Sequence, residues 1–253
     1  MTVTADTTQV ASVDEAEVAK FAALAENWWD LEGPFRPLHQ LNPIRLRFIR
    51  DNISAHFDRD ELAPQPLSGL RILDVGCGGG LLSEPLARMG ATVVGIDATE
   101  KNVRVAALHA EQGNLSIDYQ HTTAEALRDA GETFDVVMNM EVVEHVADVD
   151  SFLQASGNLV NHGGIMIAAT LNRTAKSFAL AIVGAEYVLR WLPRGTHDWR
   201  RFVRPSELAT GLRQTGMQVT SLTGVIFNPL TGNWSLNDRD LDVNYMAVAV
   251  RVS

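Results

Sequence analysis

A single cysteine, Cys77, stands among the 253 residues. One thiol excludes an intramolecular disulfide framework and suits a reducing compartment. It sits in a glycine turn with no histidine or other base beside it in sequence, so it reads as a small residue fitted to a tight loop rather than a nucleophile. Long apolar runs are missing too. No stretch reaches the length of about 20 residues that a spanning helix needs, so no transmembrane helix is expected. Basic charge is scarce: 21 Lys and Arg stand against 31 Asp and Glu, for a formal net charge of −10. That balance argues against a nucleic-acid partner, whose phosphates reward clustered cations. The opening MTVTADTTQVAS has neither the basic region nor the apolar run of a secretory signal. It also lacks periodicity, so residues 1–14 are expected to form a disordered tail.

What remains is an ordinary globular composition, with 46% hydrophobic and 21% charged residues. It suits one domain over residues 15–253 with a sizeable core. A helical pattern runs from about Glu15 to Asn27, with Val18, Phe21, Ala22 and Ala25 on one face. An aromatic, proline-cut segment follows, then a helix with Pro43 near its first turn. Together they make a helical cap over residues 15–60. RILDVG reads as a buried strand, GLLSEPLARMG as a helix, ATVVGID as a second strand and EKNVRVAALHAEQG as a helix. FDVVMNM is the expected third strand and GGIMIAAT the fourth. Strands alternating with helices predict an α/β fold built on a parallel sheet. The consecutive C-terminal strands MQVTSLTGVIFNP and VNYMAVAVRV are expected to close it as an antiparallel pair.

In such a sheet, ligands bind beyond the carboxyl ends of the strands. The turn Gly76-Cys77-Gly78-Gly79-Gly80 lies at such an end, and Asp97 ends the next strand, where it can accept hydrogen bonds from ribose hydroxyls. The dinucleotide fingerprint would require Gly or Ala at position 81 or 83, which hold Leu81 and Ser83. Asp74, just before the turn, would repel a pyrophosphate. It suits instead a cofactor bearing an ammonium and a sulfonium group. Asp74, Gly76, Gly78 and Gly80 fill every place of the E/D-x-G-x-G-x-G loop, so the motif resembles that of class I methyltransferases, which use S-adenosylmethionine on a Rossmann-like fold.

The likeness extends from about Ala19 to Tyr245. The segments NWWDLEGPFRPLHQLNPIRLRFI, EVVEHV, TLNRTAKSFALAIVGAEYVLRWLPRGTHDW and VNYM resemble the ubiquinone-biosynthesis O-methyltransferase family, which methylates catechol-type hydroxyls of polyprenylated phenols at two steps of the pathway. The resemblance implies that Arg45, Gly76, Asp97 and Met140 contact S-adenosylmethionine. Arg45 would pair with the methionine carboxylate from a helix folded over the site, and Met140 would pack against the adenosine. Thr123 and Ala124 fall where related enzymes place adenine-binding backbone.

Methyl transfer requires alignment of an oxygen with the sulfonium methyl and a nucleophilic oxygen. A phenol with a pKa near 10, as in tyrosine, is about three units from ionised at pH 7, a cost of about 4 kcal/mol. A general base or a cation at the oxygen offsets it. Glu141, Glu144 and His145 follow the FDVVMNM strand at i, i+3, i+4, so they share a face if this stretch opens a helix. Two uses are open. The three form a divalent metal site (Mg²⁺ or Mn²⁺), in keeping with metal dependence in the family, or His145 acts as base with Glu144 beside it. Acids in a first helical turn are also favoured by the helix dipole alone.

His197 and Asp198 form a second polar candidate, read either as a turn or as part of the substrate pocket, and His39 is placed near the lid. Residues 171–204 hold an insertion with an apolar helical stripe (Phe178, Ile182, Ala185, Leu189, Leu192), placed after the fourth strand. It reads as a capping helix or as a lid at the membrane surface that admits an isoprenoid tail. The family resemblance implies a polyprenylated phenol or quinol substrate and a cytoplasmic protein, with contact to membrane lipids and to other ubiquinone-biosynthesis enzymes at the inner membrane. Three other readings keep parts of this pattern: a nicotinamide-dependent oxidoreductase, a catalytically silent lipid- or partner-binding protein, and a carbon-methylating relative.

Overall fold

A computed structural model of the chain describes residues 12–180, 182, 198–228 and 231–252. Eight strands form one sheet: β1 Arg71–Val75, β2 Thr92–Asp97, β3 Asp118–His121, β4 Phe134–Met140, β5 Val160–Leu171, β6 Met217–Asn228, β7 Asn233–Asn237 and β8 Asn244–Arg251. Their order is β3-β2-β1-β4-β5-β8-β6-β7. The first five are parallel, β8 runs antiparallel to β5 and β6, and β7 runs antiparallel to β6. This is the expected Rossmann-like sheet, mostly parallel and closed by antiparallel C-terminal strands.

Alternation along the strands divides the core. Leu73, Val75, Val94, Ile96 and Val137 face one side, packed with Phe152 and Leu153 of helix α6 (Val149–Asn158) and Leu208 of α8 (Pro205–Arg213). Ile72, Val93, Val136, Met138 and Ile165 face the other, packed against Ile44, Phe48, Ile49 and Ile53 of α2 (Arg36–His56). Helices α3 (Ser83–Arg88), α4 (Glu100–Gln112) and α5 (Ala124–Asp129) link the parallel strands. A short α7 (Ala175–Ser177) follows β5, its first turn closed by Thr174 and Ser177 in a capping box.

Three sequence expectations change. Asp118–His121 is a strand, so FDVVMNM and GGIMIAAT are the fourth and fifth, and the insertion follows the fifth. DYQH lacks an apolar pattern because it is a short strand at the sheet edge with no fully buried residue. α2 begins at Arg36 with Pro37 in its first turn, which leaves Pro43 inside the helix, where it removes one backbone donor. The C-terminal pair gains β7 as a third antiparallel strand.

The first described residues belong to the fold. Ser12 is buried and its hydroxyl donates to Glu125, while its carbonyl accepts from Ala147 at 2.8 Å. Asp14 caps α1 (Glu15–Leu24) through the amides of Ala16 and Glu17 and pairs with Arg201 at 2.7 Å. Residues 12–14, assigned to the tail from sequence, are therefore anchored. Residues 181 and 183–197 of the insertion, including Ala185, Leu189 and Leu192, lie outside the described residues.

Candidate active site

The parallel strands diverge at β1, with β2 and β3 on one side and β4 on the other. Beyond this switch point opens a cavity of about 1070 Å³. The glycine turn forms its floor. Gly76 and Gly78 have φ of +68° and +53°, a region that side chains with Cβ avoid. A Cβ on Gly76 would stand 2.6 Å from Val142, and one on Gly78 would meet the Trp28 ring at 2.5 Å. These glycines are therefore required by close approach as well as by φ.

Asp97 at the end of β2 accepts from the Gly78 amide at 3.0 Å, the Thr99 amide at 2.7 Å and the Asn102 side chain at 3.3 Å, with the Thr99 side chain also beside it. Burial nevertheless pushes its carboxyl upward. Asp74 is buried more deeply, and burial raises it to about 6 against the Ser83 hydroxyl at 2.5 Å and the nearby Arg45 charge. Burial likewise pushes the Cys77 thiol up, which agrees with its reading as a fitted small residue.

Arg45 projects from α2 into the same cavity and is buried. One terminal nitrogen donates to Glu141 at 2.5 Å and the other to Asn42 at 2.8 Å, while Nε is buried with no partner among the described residues. Met140 ends β4 and lines the cavity, as do Thr123 and Ala124 at the start of α5.

The Glu141, Glu144 and His145 cluster is not built as a helical face. Glu141 adopts φ +55°, its amide bonds to Ala169 across the sheet, and a tight turn follows in which the His145 amide bonds to the Val142 carbonyl. The left-handed residue rotates the chain, and the three side chains turn to different partners. Glu141 pairs with Arg45. Glu144 is buried, accepts from Thr170 Oγ1 at 2.8 Å, and is pushed up by burial. His145 Nδ1 lies 2.9 Å from Glu17 on α1. Among the described residues no group of three His, Cys, Asp or Glu side chains is placed to hold a metal ion. The expected Mg²⁺ or Mn²⁺ site at Glu141, Glu144 and His145 therefore finds no support in the described residues: Glu141 turns to Arg45, Glu144 to Thr170 and His145 Nδ1 to Glu17.

Several site residues carried no sequence signal of their own. The Trp28 indole lies over the glycine turn, stacks on Phe35 at 3.8 Å and donates to Asn102 at 2.9 Å. Glu17 and Phe21 of α1 flank His145, with Phe21 edge-on at 5.2 Å. Thr99 and Asn102 were legible only as a helix start after Asp97. His39 does not line the cavity; its Nε2 is 2.9 Å from the Trp28 carbonyl, so it supports the aromatic segment. Asp198 caps a turn through the Arg200 amide and, with Trp199 and Phe178, lines a second cavity of about 610 Å³ that shares Glu17, Glu144 and His145. His197 lies outside the described residues.

Residues 73–168 match a methyltransferase domain family. The fold is similar to that of magnesium protoporphyrin IX methyltransferase from Synechocystis PCC 6803, solved with bound SAH. That likeness has a TM-score of 0.66 at 20% identity, covering 94% of this chain and 100% of that one. The sheet order, glycine turn and Asp97 define the fold of class I S-adenosylmethionine-dependent methyltransferases. A ubiquinone biosynthesis O-methyltransferase from Dinoroseobacter shibae is 60% identical over 245 residues, 97% of this chain and 99% of that protein. One from Parvibaculum lavamentivorans is 57% identical over 98% of this chain and 97% of its own length. The chain belongs to the ubiquinone biosynthesis O-methyltransferase family, and the oxidoreductase reading falls away with Leu81 in place of the fingerprint glycine.

Proposed function

We propose that this protein methylates a ring hydroxyl of polyprenylated catechol or phenol intermediates at both O-methylation steps of ubiquinone synthesis. The observation that carries the reading is one continuous cavity that joins the glycine turn and Asp97 to Glu144 and His145. S-adenosylmethionine bound there would supply a methyl group activated by its sulfonium. The residues fit it. Gly76 and Gly78 line the cavity with bare backbone, Asp97 presents its carboxylate for the ribose, and Asp74 offers negative charge near a cation. The partnerless Nε of Arg45 suits the methionine carboxylate, and Met140 an adenosine face.

His145 takes the acceptor's proton. With Nδ1 bound to Glu17, Nε2 is the nitrogen left for the acceptor hydroxyl. Glu17 positions the ring from the cap, and Glu144, held by Thr170, borders the same space. No step is routed through a metal, since the candidate ligands do not converge.

The same reading places the protein in the cytoplasm, in peripheral contact with the inner-membrane surface and with neighbouring enzymes of the pathway. Phe178 and Leu180, 47% and 54% exposed at the start of the insertion, support that contact. Among the described residues no helix is long and apolar enough to cross a membrane. The deciding experiment follows label from S-adenosylmethionine into a soluble short-chain demethylubiquinol and locates it in the product. Label on oxygen supports the reading. Label on ring carbon, or no transfer with cofactor bound, refutes it.

A further inference from the structure

At the end of the cavity away from the glycine turn, two buried polar atoms have no partner among the described residues. They are the Trp234 indole Nε1 and the Asn244 amide oxygen, and both residues line the cavity. Trp234 sits on β7 opposite Phe227 of β6, their ring centroids 5.0 Å apart. Asn244 opens β8, opposite Leu171 of β5 and Val225 of β6. A buried donor and a buried acceptor left unmade are destabilising, and native folds hold few of them. A donor and an acceptor together on residues at this end of the cavity point to a ligand that satisfies both.

The strand order says which ligand. Glycine turn and Asp97 follow β1 and β2, Glu144 and His145 follow β4, and Trp234 and Asn244 belong to the antiparallel strands beyond β5. The methyl donor's side and the hairpin's side thus flank His145. The volume of about 1070 Å³ lies at the top of the ~300–1,000 Å³ range of ligand pockets, in keeping with a site that holds donor and acceptor together. The lining on this side includes the apolar Val225, Ile226, Phe227, Leu171 and Leu180, with the Lys176–Asp240 ion pair as its charged member.

We propose that the β6–β7 hairpin and the first residue of β8 form the acceptor subsite, built for an aromatic ring carrying at least two oxygens and an apolar tail. Trp234 Nε1 donates to one ring oxygen, and Asn244 accepts from a ring hydroxyl. The tail lies along Val225–Phe227. This inference rests on the proposed function and adds which residues select the acceptor.

Trp234→Phe keeps an aromatic ring opposite Phe227 and removes the N–H donor with part of the ring; Asn244→Ala removes the acceptor. With S-adenosylhomocysteine in place, titration of a short-chain prenylated catechol gives the acceptor Kd, and turnover gives KM and kcat. Each variant is expected to raise acceptor Kd and KM roughly five- to tenfold, with kcat and S-adenosylhomocysteine affinity within about twofold. An analogue with one ring hydroxyl replaced by hydrogen should bind wild type weaker by a similar factor, and Asn244→Ala should weaken it no further. Unchanged acceptor Kd in both variants, or equal wild-type affinity for catechol and analogue, would overturn the inference while methyl transfer by wild type upholds the function. A wild type that neither binds nor methylates prenylated catechols overturns both.

Discussion

Gly78→Ala tests whether the aromatic cap and the glycine turn are one packed unit. Two costs are separable. The first is backbone: at φ +53° an alanine carries about 1–2 kcal/mol of strain. The second is overlap, since the new Cβ would stand 2.5 Å from the Trp28 ring. Displacing that ring breaks its stack on Phe35, about 0.5–1.5 kcal/mol. It also breaks the indole bond to Asn102, a further 0.5–1.5 kcal/mol or so. The total in wild type is about 2–5 kcal/mol. In a Trp28→Ala background the overlap is absent and only the strain remains, so the double-mutant cycle should return about 1–3 kcal/mol of coupling. Urea denaturation of the four proteins measures it. Asn102 also donates to Asp97, so S-adenosylhomocysteine binding should weaken with Gly78→Ala in parallel. Equal destabilisation in both backgrounds, within about 0.5 kcal/mol, would refute the contact between cap and turn.

Asp74 predicts a pH dependence. Its carboxyl is raised from 3.8 to about 6, so the stability it allows is complete at low pH and is lost as pH rises toward and through 6. Relative to Asp74→Asn, wild type should lose up to about 3 kcal/mol between pH 4 and 7.5, and parallel denaturation curves across that window would sink the assignment. Glu17→Gln should lower kcat roughly 10- to 100-fold with S-adenosylhomocysteine affinity within about twofold; a matched fall in affinity would instead mark Glu17 as merely structural. Asp14→Ala should cost about 1–2 kcal/mol through the lost helix cap, and a thermal midpoint unchanged from wild type would show that the cap does not matter.

The donor half of the site was legible because its constraints are local. Strand, glycine turn, helix and acid lie within residues 71–97, and each requirement acts on near neighbours in sequence. The contacts that join the site together were not, because distant segments make them: Glu17 reaches His145 across 128 positions, and Arg45 reaches Glu141 across 96. The helical reading of Glu141, Glu144 and His145 failed at one residue. Spacing implies a shared face only while φ stays negative, and Glu141 does not. β3 was missed because four residues at a sheet edge need no apolar alternation. Trp28 was visible as an aromatic but not as a cover, since nothing local says which surface it meets.

The position of β8 bears on how the chain is made. It is the last described strand in sequence yet lies between β5 and β6, with Met246, Ala247 and Val248 buried in the sheet. While a ribosome is still translating this strand, β1 to β5 can already pair in parallel, but the β6–β7 hairpin has no edge to join. Nascent chains that stop short of Asn244 should therefore carry a formed nucleotide-side half and a detached hairpin. A ribosome-tethered chain would then gain its donor pocket first and its acceptor wall only as the final strand clears the exit tunnel.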